Sequence, residues 1–311
     1  IYRFLERVLP ENLPTAGAVG NGTEPRERLI EDVFNGISDA KMSVRSLLRP
    51  YTFSRIDWSN PRNDPIFRQF ILTRSTMKPD HPNLTLDSLE EKADSPVPGL
   101  VHRYPDKALF RPLSVCQTYC VFCTRSYAVG ANTDSVEKNS LKPGRSRWEA
   151  VSQHVQRTPQ IQDIVVSGGD SYQLFPHHSE MIGNWLISGP HVRGFRFASK
   201  GLAVCPTRLF YLNDAWFNAI VAVSDKARKA GKGKATALHA HFNHPNEISW
   251  ITEKASHRLF EAGVMVRNQC VLLCGVNDDT VTMSTLIRKL GDNNIFPGRA
   301  VTLNDEKLLL T

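Results

Sequence analysis

"ALFRPLSVCQTYCVFC", residues 108–123, joins a short apolar, β-rich run to three cysteines spaced by four and then three. Runs of the first kind recur from Ala108 onward: "DIVVSGG" (163–169), "GFRFAS" (194–199), "TALHAHF" (236–242), "VMVRNQCVLL" (264–273) and "IFPGRAVTL" (295–303). Helical segments lie between most of them, such as "SRWEAVSQHVQR" (146–157), "NDAWFNAIVAVSDKARKA" (213–230) and "TVTMSTLIRKLGD" (280–292). Strand and helix in alternation predict βαβ units on a parallel sheet, hence an α/β fold. Six such units make a partial (β/α)6 barrel, whose chemistry sits on loops at the C-terminal strand ends. The cysteine loop leaves the first strand on that face.

The residues before this core read differently. "ERLIEDVFNGI" places Leu29, Val33, Phe34 and Ile37 on one helical stripe, with Thr23 as cap and Pro25 opening the helix. "NDPIFRQFIL" repeats the device, with Asp64 as cap and Pro65 in the first turn. "IYRFLERVLP" reads as a surface helix, and "DSPVPGL" (94–100) predicts an extended strap. The expected organisation is an N-terminal helical region and strap over 1–95, a core barrel over 96–303 and a divergent tail over 304–311.

A hydrophobic content of 41% with 22% charged residues is ordinary globular composition. No apolar run reaches the ~18 residues of a transmembrane helix, so no membrane partner is expected. Part of the net charge of +7 lies in Lys226, Arg228, Lys229, Lys232 and Lys234. Broken by glycines and free of aromatics, that stretch predicts a solvated loop, not a platform for stacking bases, and no nucleic-acid partner. Six cysteines in so long a chain do not make a disulfide scaffold. Cys205, Cys270 and Cys274 stand apart in apolar contexts and read as buried thiols. An intracellular reducing compartment follows, with cytoplasm and mitochondrion not distinguished. The first residue is isoleucine, from which a start further upstream is expected.

Three readings of "CQTYCVFC" compete. A structural zinc usually takes four ligands, so a histidine would have to complete the set. A redox dithiol uses only two of the three thiols. An iron–sulfur cubane normally has four thiolates, and three would leave one iron open and reactive. "DIVVSGGD" ends the second strand with Ser167, Gly168, Gly169 and Asp170, where paired glycines allow close backbone approach but also suit a plain turn. His239, His241 and His244 in "HAHFNH" invite a metal reading as well.

With Phe122 as its aromatic, the CxxxCxΦC pattern resembles that of the radical S-adenosylmethionine (SAM) superfamily. Four more stretches, "DSPVPGLVHRYPDK" (94–107), "CTRSYAVG" (123–130), "HFNHPNEI" (241–248) and "AGVMVRNQCVLLCGVND" (262–278), resemble the lysine 2,3-aminomutase family in order and spacing. The resemblance spans about residues 56–298. It implies a [4Fe–4S] cluster on Cys116, Cys120 and Cys123, with SAM on the fourth iron and contacts from Phe122, Ser167, Gly168, Gly169, Asp170 and Gln269. Reductive cleavage of SAM then yields an adenosyl radical that abstracts a substrate hydrogen. Pyridoxal 5′-phosphate (PLP) is the second implied cofactor, and an α-amino group, most simply that of L-lysine, moves from C2 to C3. Arg103 and Tyr104 match the family's PLP contacts, and Lys107 stands where the family usually has arginine. Arg125 matches the arginine for the substrate carboxylate, a task suited to a bidentate fork. His241, His244, Asn243 and Asn246 then read as a hydrogen-bonding rim around the cofactors, with Asn277 and Asp278 shaping the turn after the fifth strand. The implied partners are a small amino acid and an electron donor, with a homo-oligomer possible.

The family continues past its sixth strand to carboxylates for the ε-ammonium and a glycine-rich loop bearing the PLP lysine. Here "IFPGRAVTLNDEKLLLT" ends the sequence, and Asp305 and Lys307 stand too near the strand for those roles. The expectation is a truncated or mis-spliced end, or a fragment, with no catalytic lysine assigned. Two alternatives stay open: a homologue acting on another amino acid such as glutamate, and a non-catalytic iron–sulfur or zinc protein.

Overall fold

The computed structural model describes residues 2–301 apart from 17–21, 39–47, 78–81, 83–84, 135, 139–140, 212 and 232. The tail 304–311, with Asp305 and Lys307, lies outside them, as does Lys232. Helix α1 (Tyr2–Val8), strands β1 (Asn12–Pro14) and β2 (Thr23–Pro25), and helices α2 (Arg26–Ser38), α3 (Pro50–Ser54) and α4 (Pro65–Phe70) precede the core. The core then runs β3 (Leu100–Tyr104), β4 (Lys107–Leu113), α5 (Arg145–Arg157), β5 (Asp163–Gly168), α6 (Pro176–Ser188), β6 (Gly194–Ser199), α7 (Gly201–Val204), α8 (Thr207–Phe210), α9 (Ala215–Ala230), β7 (Ala235–Ala240), α10 (Trp250–Glu261), β8 (Val266–Val271), α11 (Thr280–Asp292) and β9 (Ile295–Val301). The seven strands β3 to β9 pair in chain order as one sheet, parallel throughout except for the antiparallel β3–β4 hairpin. The protein is thus an α/β fold on a mostly parallel sheet.

Strand alternation sorts the two sheet faces. On β4, Phe110 meets Trp148 of α5 and Trp185 of α6 edge-on at 6.4 and 5.9 Å. The even positions of β4 therefore face the helices, and Lys107, Leu109 and Arg111 face the other way. On β6 the buried Phe195 and Phe197 belong to the helical side, while Arg196 and Ala198 are half-buried on the opposite face.

Local chemistry sets the helix starts. Asp64 caps α4, accepting from the amides of Ile66 and Phe67, with Pro65 in the first turn as expected. The start of α2 differs from expectation. Thr23 and Pro25 form β2, paired with β1, and the helix begins at Arg26. Its buried face is Leu29, Ile30, Val33 and Gly36, whereas Phe34 is 54% exposed. Gly36 lies against the backbone of Leu72 to Arg74, and Phe34, on the other side of the helix, points away from that contact. The "DSPVPGL" segment is a tight turn and not an extended strap: Leu100 donates to the Val97 carbonyl, and Gly99 takes a left-handed φ of +92°. Lys226, Arg228 and Lys229 lie on the C-terminal part of α9, not in a loop, where cations complement the helix dipole. Among the described residues no helix is long and apolar enough to cross a membrane.

Candidate active site at the cysteine loop

The loop carrying Cys116, Cys120 and Cys123 leaves β4 just beyond Leu113, at the C-terminal end of the parallel strands. It is pinned along its length. Gly169 and Asp170 donate their amides to the carbonyls of Leu113 and Val115, both at 2.8 Å. Val121 donates to the Gln69 carbonyl at 3.0 Å, and the Arg49 Nε donates to the Gln117 carbonyl at 3.1 Å. Gly168 has φ +104°, and a Cβ on Gly168 or Gly169 would overlap the backbone of Leu113 or Val115. The two glycines therefore let the strand end and the loop's entry touch, a nearer cause than contact with a ligand.

All three cysteines are half-buried and none is in a disulfide. Burial pushes each thiol up, Cys120 to about 12, and each neighbouring sulfur adds to the shift at Cys116. Lys200 opposes the rise at Cys120, and Arg125 with Lys138 opposes it at Cys123. Among the described residues, no three His, Cys, Asp or Glu side chains converge tightly enough to hold one metal ion. A tetrahedral zinc needs thiolates about 3.8 Å apart for bonds of about 2.3 Å. The ligands of a cubane each meet a different iron and stand wider. Three unbridged, half-buried thiols within one eight-residue loop fit the second donor set. Phe122, 8% exposed, packs on the His241 ring at 5.8 Å and on Val271, Leu273 and Val276.

Asp170 is spoken for by the chain itself. Its carboxylate accepts from the amides of Tyr172 and Lys200, each at 2.8 Å, and from the Ser199 hydroxyl. Burial raises its carboxyl, and those bonds only partly offset that. The Lys200 Nζ donates to Glu247 at 2.7 Å and to the His241 carbonyl at 3.0 Å. Glu247 in turn accepts from the amides of Asn243 and His244 at 2.5 and 2.9 Å. Asn243, fully buried, donates to the Gln69 side chain and accepts from the Val271 amide, both at 2.9 Å. Asn277 donates to the Asn243 and Val271 carbonyls, both at 2.9 Å, and Asp278 accepts from Gly275.

The expected rim is accordingly a scaffold. Asn243 has internal partners on both ends, His244 caps a single turn through the Asn246 amide, and Asn246 is exposed. His241 borders the cysteine loop through the Phe122 ring. Ser167 is buried at the end of β5, and Gln269 is half-buried on β8, on the same face as Arg267.

Arg125 lies where expected in the chain, but its fork is filled. Nε and Nη2 hold Glu91 at 2.8–3.1 Å, Glu91 also accepts from Tyr127 at 2.8 Å, and Arg111 bonds the Tyr127 oxygen at 2.5 Å. Burial alone would raise the Glu91 carboxyl, but the Arg125 charge and fork, Tyr127 and Arg111 outweigh it and hold the group low. The backbone of Arg103, Tyr104 and Lys107 sits at the β3–β4 turn, and the Arg103 side chain reaches back far enough for the Glu91 charge to act on it. Arg103 is paired with Asp94 and with the Leu89 carbonyl, and Tyr104 is 60% exposed. Glu91, Lys200 and Glu247 were missed in the sequence because their partners are 34 and 47 residues away.

No protein-family model matches the chain. It is similar to the L-lysine 2,3-aminomutases of Clostridium subterminale (34% identical over 269 residues), Bacillus subtilis strain 168 (32% over 269) and Escherichia coli K12 (28% over 267). Each match covers 86% of this chain, and 59%, 52% and 71% of the respective relatives. The chain thus spans little more than half the length of the first two. The resemblance in the linked motifs and the matches over most of this chain agree, and the chain belongs to the lysine 2,3-aminomutase family of the radical SAM superfamily.

Proposed function

We propose that the protein is a radical-SAM aminomutase of an α-amino acid, with L-lysine as first candidate, built on a partial (β/α)6 barrel with a [4Fe–4S] cluster on Cys116, Cys120 and Cys123. The observation that carries this is three half-buried, unbridged thiols carried by one loop that is pinned at the C-terminal strand ends. Bound there with SAM at the open iron, the cluster would supply the reducing electron that releases a hydrogen-abstracting radical. The chain's own residues confine that chemistry. Phe122 and His241 wall one side, Ser167 to Gly169 bring main chain to the loop's edge, and Gln269 offers an amide from β8. Asp170 acts through Lys200, fixing the end of β5 to the start of α7. Arg125 remains the candidate for the substrate carboxylate only if Glu91 yields its place. Arg103, Tyr104 and Lys107 are the candidates for holding a PLP phosphate and ring. The partners of this reading are an amino acid and an electron donor, in an intracellular reducing compartment.

Iron analysis after anaerobic reconstitution tests it. About four irons per chain with absorbance near ~400 nm, and deoxyadenosine on reduction with SAM, are expected. Alanine at Cys116, Cys120 or Cys123 should remove both signals, while alanine at Cys205, Cys270 or Cys274 should keep them. A single zinc bound in place of iron would overturn the assignment.

A further inference from the structure

The face of the sheet turned away from the helices carries cations whose donors are not all used. Arg196 of β6 pairs through Nη2 with Asp163 of β5, yet its Nε–H is buried and has no hydrogen-bond partner. Arg111, on the same face of β4, has a buried and unpartnered Nε–H as well. Such orphaned donors are rare in native proteins, cost free energy, and commonly mark an absent ion or water. Beside Arg196, His239 of β7 stands directly across from Arg267 of β8 and from Ala198 of β6. Burial together with the Arg196 and Arg267 charges pushes the half-buried His239 ring down to about 4, so it stays neutral between two guanidinium groups. Asp163 is committed to Arg196, and Glu91 to Arg125 and Tyr127. Positive charge and open N–H groups thus exceed the carboxylates available on this face.

We propose that this face binds an oxyanion, a phosphate or carboxylate group, on the Arg196 Nε–H with His239 and Arg267 beside it. Arginine suits the task because its planar donors match both groups. The oxyanion class stands on the sheet alone; the choice between a cofactor phosphate and a substrate side-chain carboxylate rests on the aminomutase reading. In either case the ligand would reach the cysteine loop along the sheet from below the strand ends.

The experiment uses the full chain without cluster, so it is independent of iron loading. Inorganic phosphate is titrated while the ring signals of labelled histidines and the heat of binding are followed. Phosphate should shift the His239 signals, and Arg196→Gln should weaken binding about tenfold or more, as loss of a charged hydrogen bond does. Arg267→Gln, at an exposed position, tests the charge without disturbing the fold and should weaken binding about threefold. Arg145→Gln, exposed on α5, should change nothing. Tighter binding of pyridoxamine 5′-phosphate than of inorganic phosphate, lost in Arg196→Gln, assigns a cofactor phosphate. A preference for L-glutamate over L-lysine, lost in the same variant, assigns a substrate carboxylate. Unshifted His239 signals, or equal phosphate affinity in Arg196→Gln, Arg267→Gln and the parent chain, would overturn the proposal.

Discussion

Replacing Glu91 by glutamine removes one negative charge from a buried knot while keeping its shape. Glu91 is 4% exposed and receives three contacts within hydrogen-bond range from Arg125 and one from Tyr127, with Arg111 at 3.6 Å. Removing one partner of a buried pair typically costs about 3–5 kcal/mol, because the other charge is left uncompensated. The Arg125 side chain is 25% exposed, so water recovers part of that, and about 3 kcal/mol is the figure to expect. At roughly 2 °C per kcal/mol for a chain of this size, Glu91→Gln should melt about 6 °C lower at pH 7. The pH dependence carries the sign of a depressed carboxylate. The contribution is present above the unfolded pKa of about 4.3 and fades as pH falls through the lower folded value, so the variant and parent should converge only once the pH is below that folded value. Thermal and urea melts of both proteins at pH 7 and in acid measure this. A pH 7 difference below about 1 kcal/mol would refute a structural role for the pair and leave Arg125 available to a substrate.

Two further perturbations probe the same frame. Gly168→Ala meets a left-handed φ and an overlap with the Leu113 carbonyl, so it should destabilise by more than about 2 kcal/mol and lower iron uptake, read by melting and iron assay. Lys200→Met strands the buried Glu247 and should cost about 3–5 kcal/mol, whereas adding Glu247→Gln should recover part of it; no recovery in the double variant would show that Lys200 works elsewhere.

The alternation of strands and helices was legible because it is written locally, in runs such as "DIVVSG" and "GFRFAS" that fill β5 and β6. So was the Asp64 cap, which needs only residues two and three positions on. The cysteine loop was legible as a pattern, since three thiols in eight residues have few uses. What stayed hidden depends on distant partners. Nothing near Arg125 announces that Glu91 fills its fork, and nothing near Asp170 announces that its oxygens hold the Lys200 amide. Phe34 fits the α2 stripe by spacing, but the backbone of Leu72 to Arg74 chooses which side of the helix is covered. Gly168 and Gly169 read in one dimension as a place for close backbone approach, and the chain's own main chain at Leu113 and Val115 is one thing that approaches there.

Satisfaction of polar groups separates the frame from the surfaces left for chemistry. A buried donor or acceptor without a partner costs free energy, so a chain that folds reliably closes such groups internally wherever it can. Around the cysteine loop it does so at many positions: Asp170, Glu247, Asn243, Asn268, Asn277 and Glu91 all have their oxygens filled by backbone or side-chain donors. Those residues fix the loop, β5, the start of α7 and the turn after β7 relative to one another. Among the described residues two sets stay open here, the three thiols and the Nε–H groups of Arg111 and Arg196, as does the Thr118 hydroxyl of the loop itself. Soft sulfur donors call for a thiophilic metal, and guanidinium donors call for an oxyanion. Both sets belong to the same sheet, the first at the C-terminal strand ends and the second within the strands below them. A ligand with an anionic end on Arg196 and its reactive end upward would therefore meet whatever the cysteines hold.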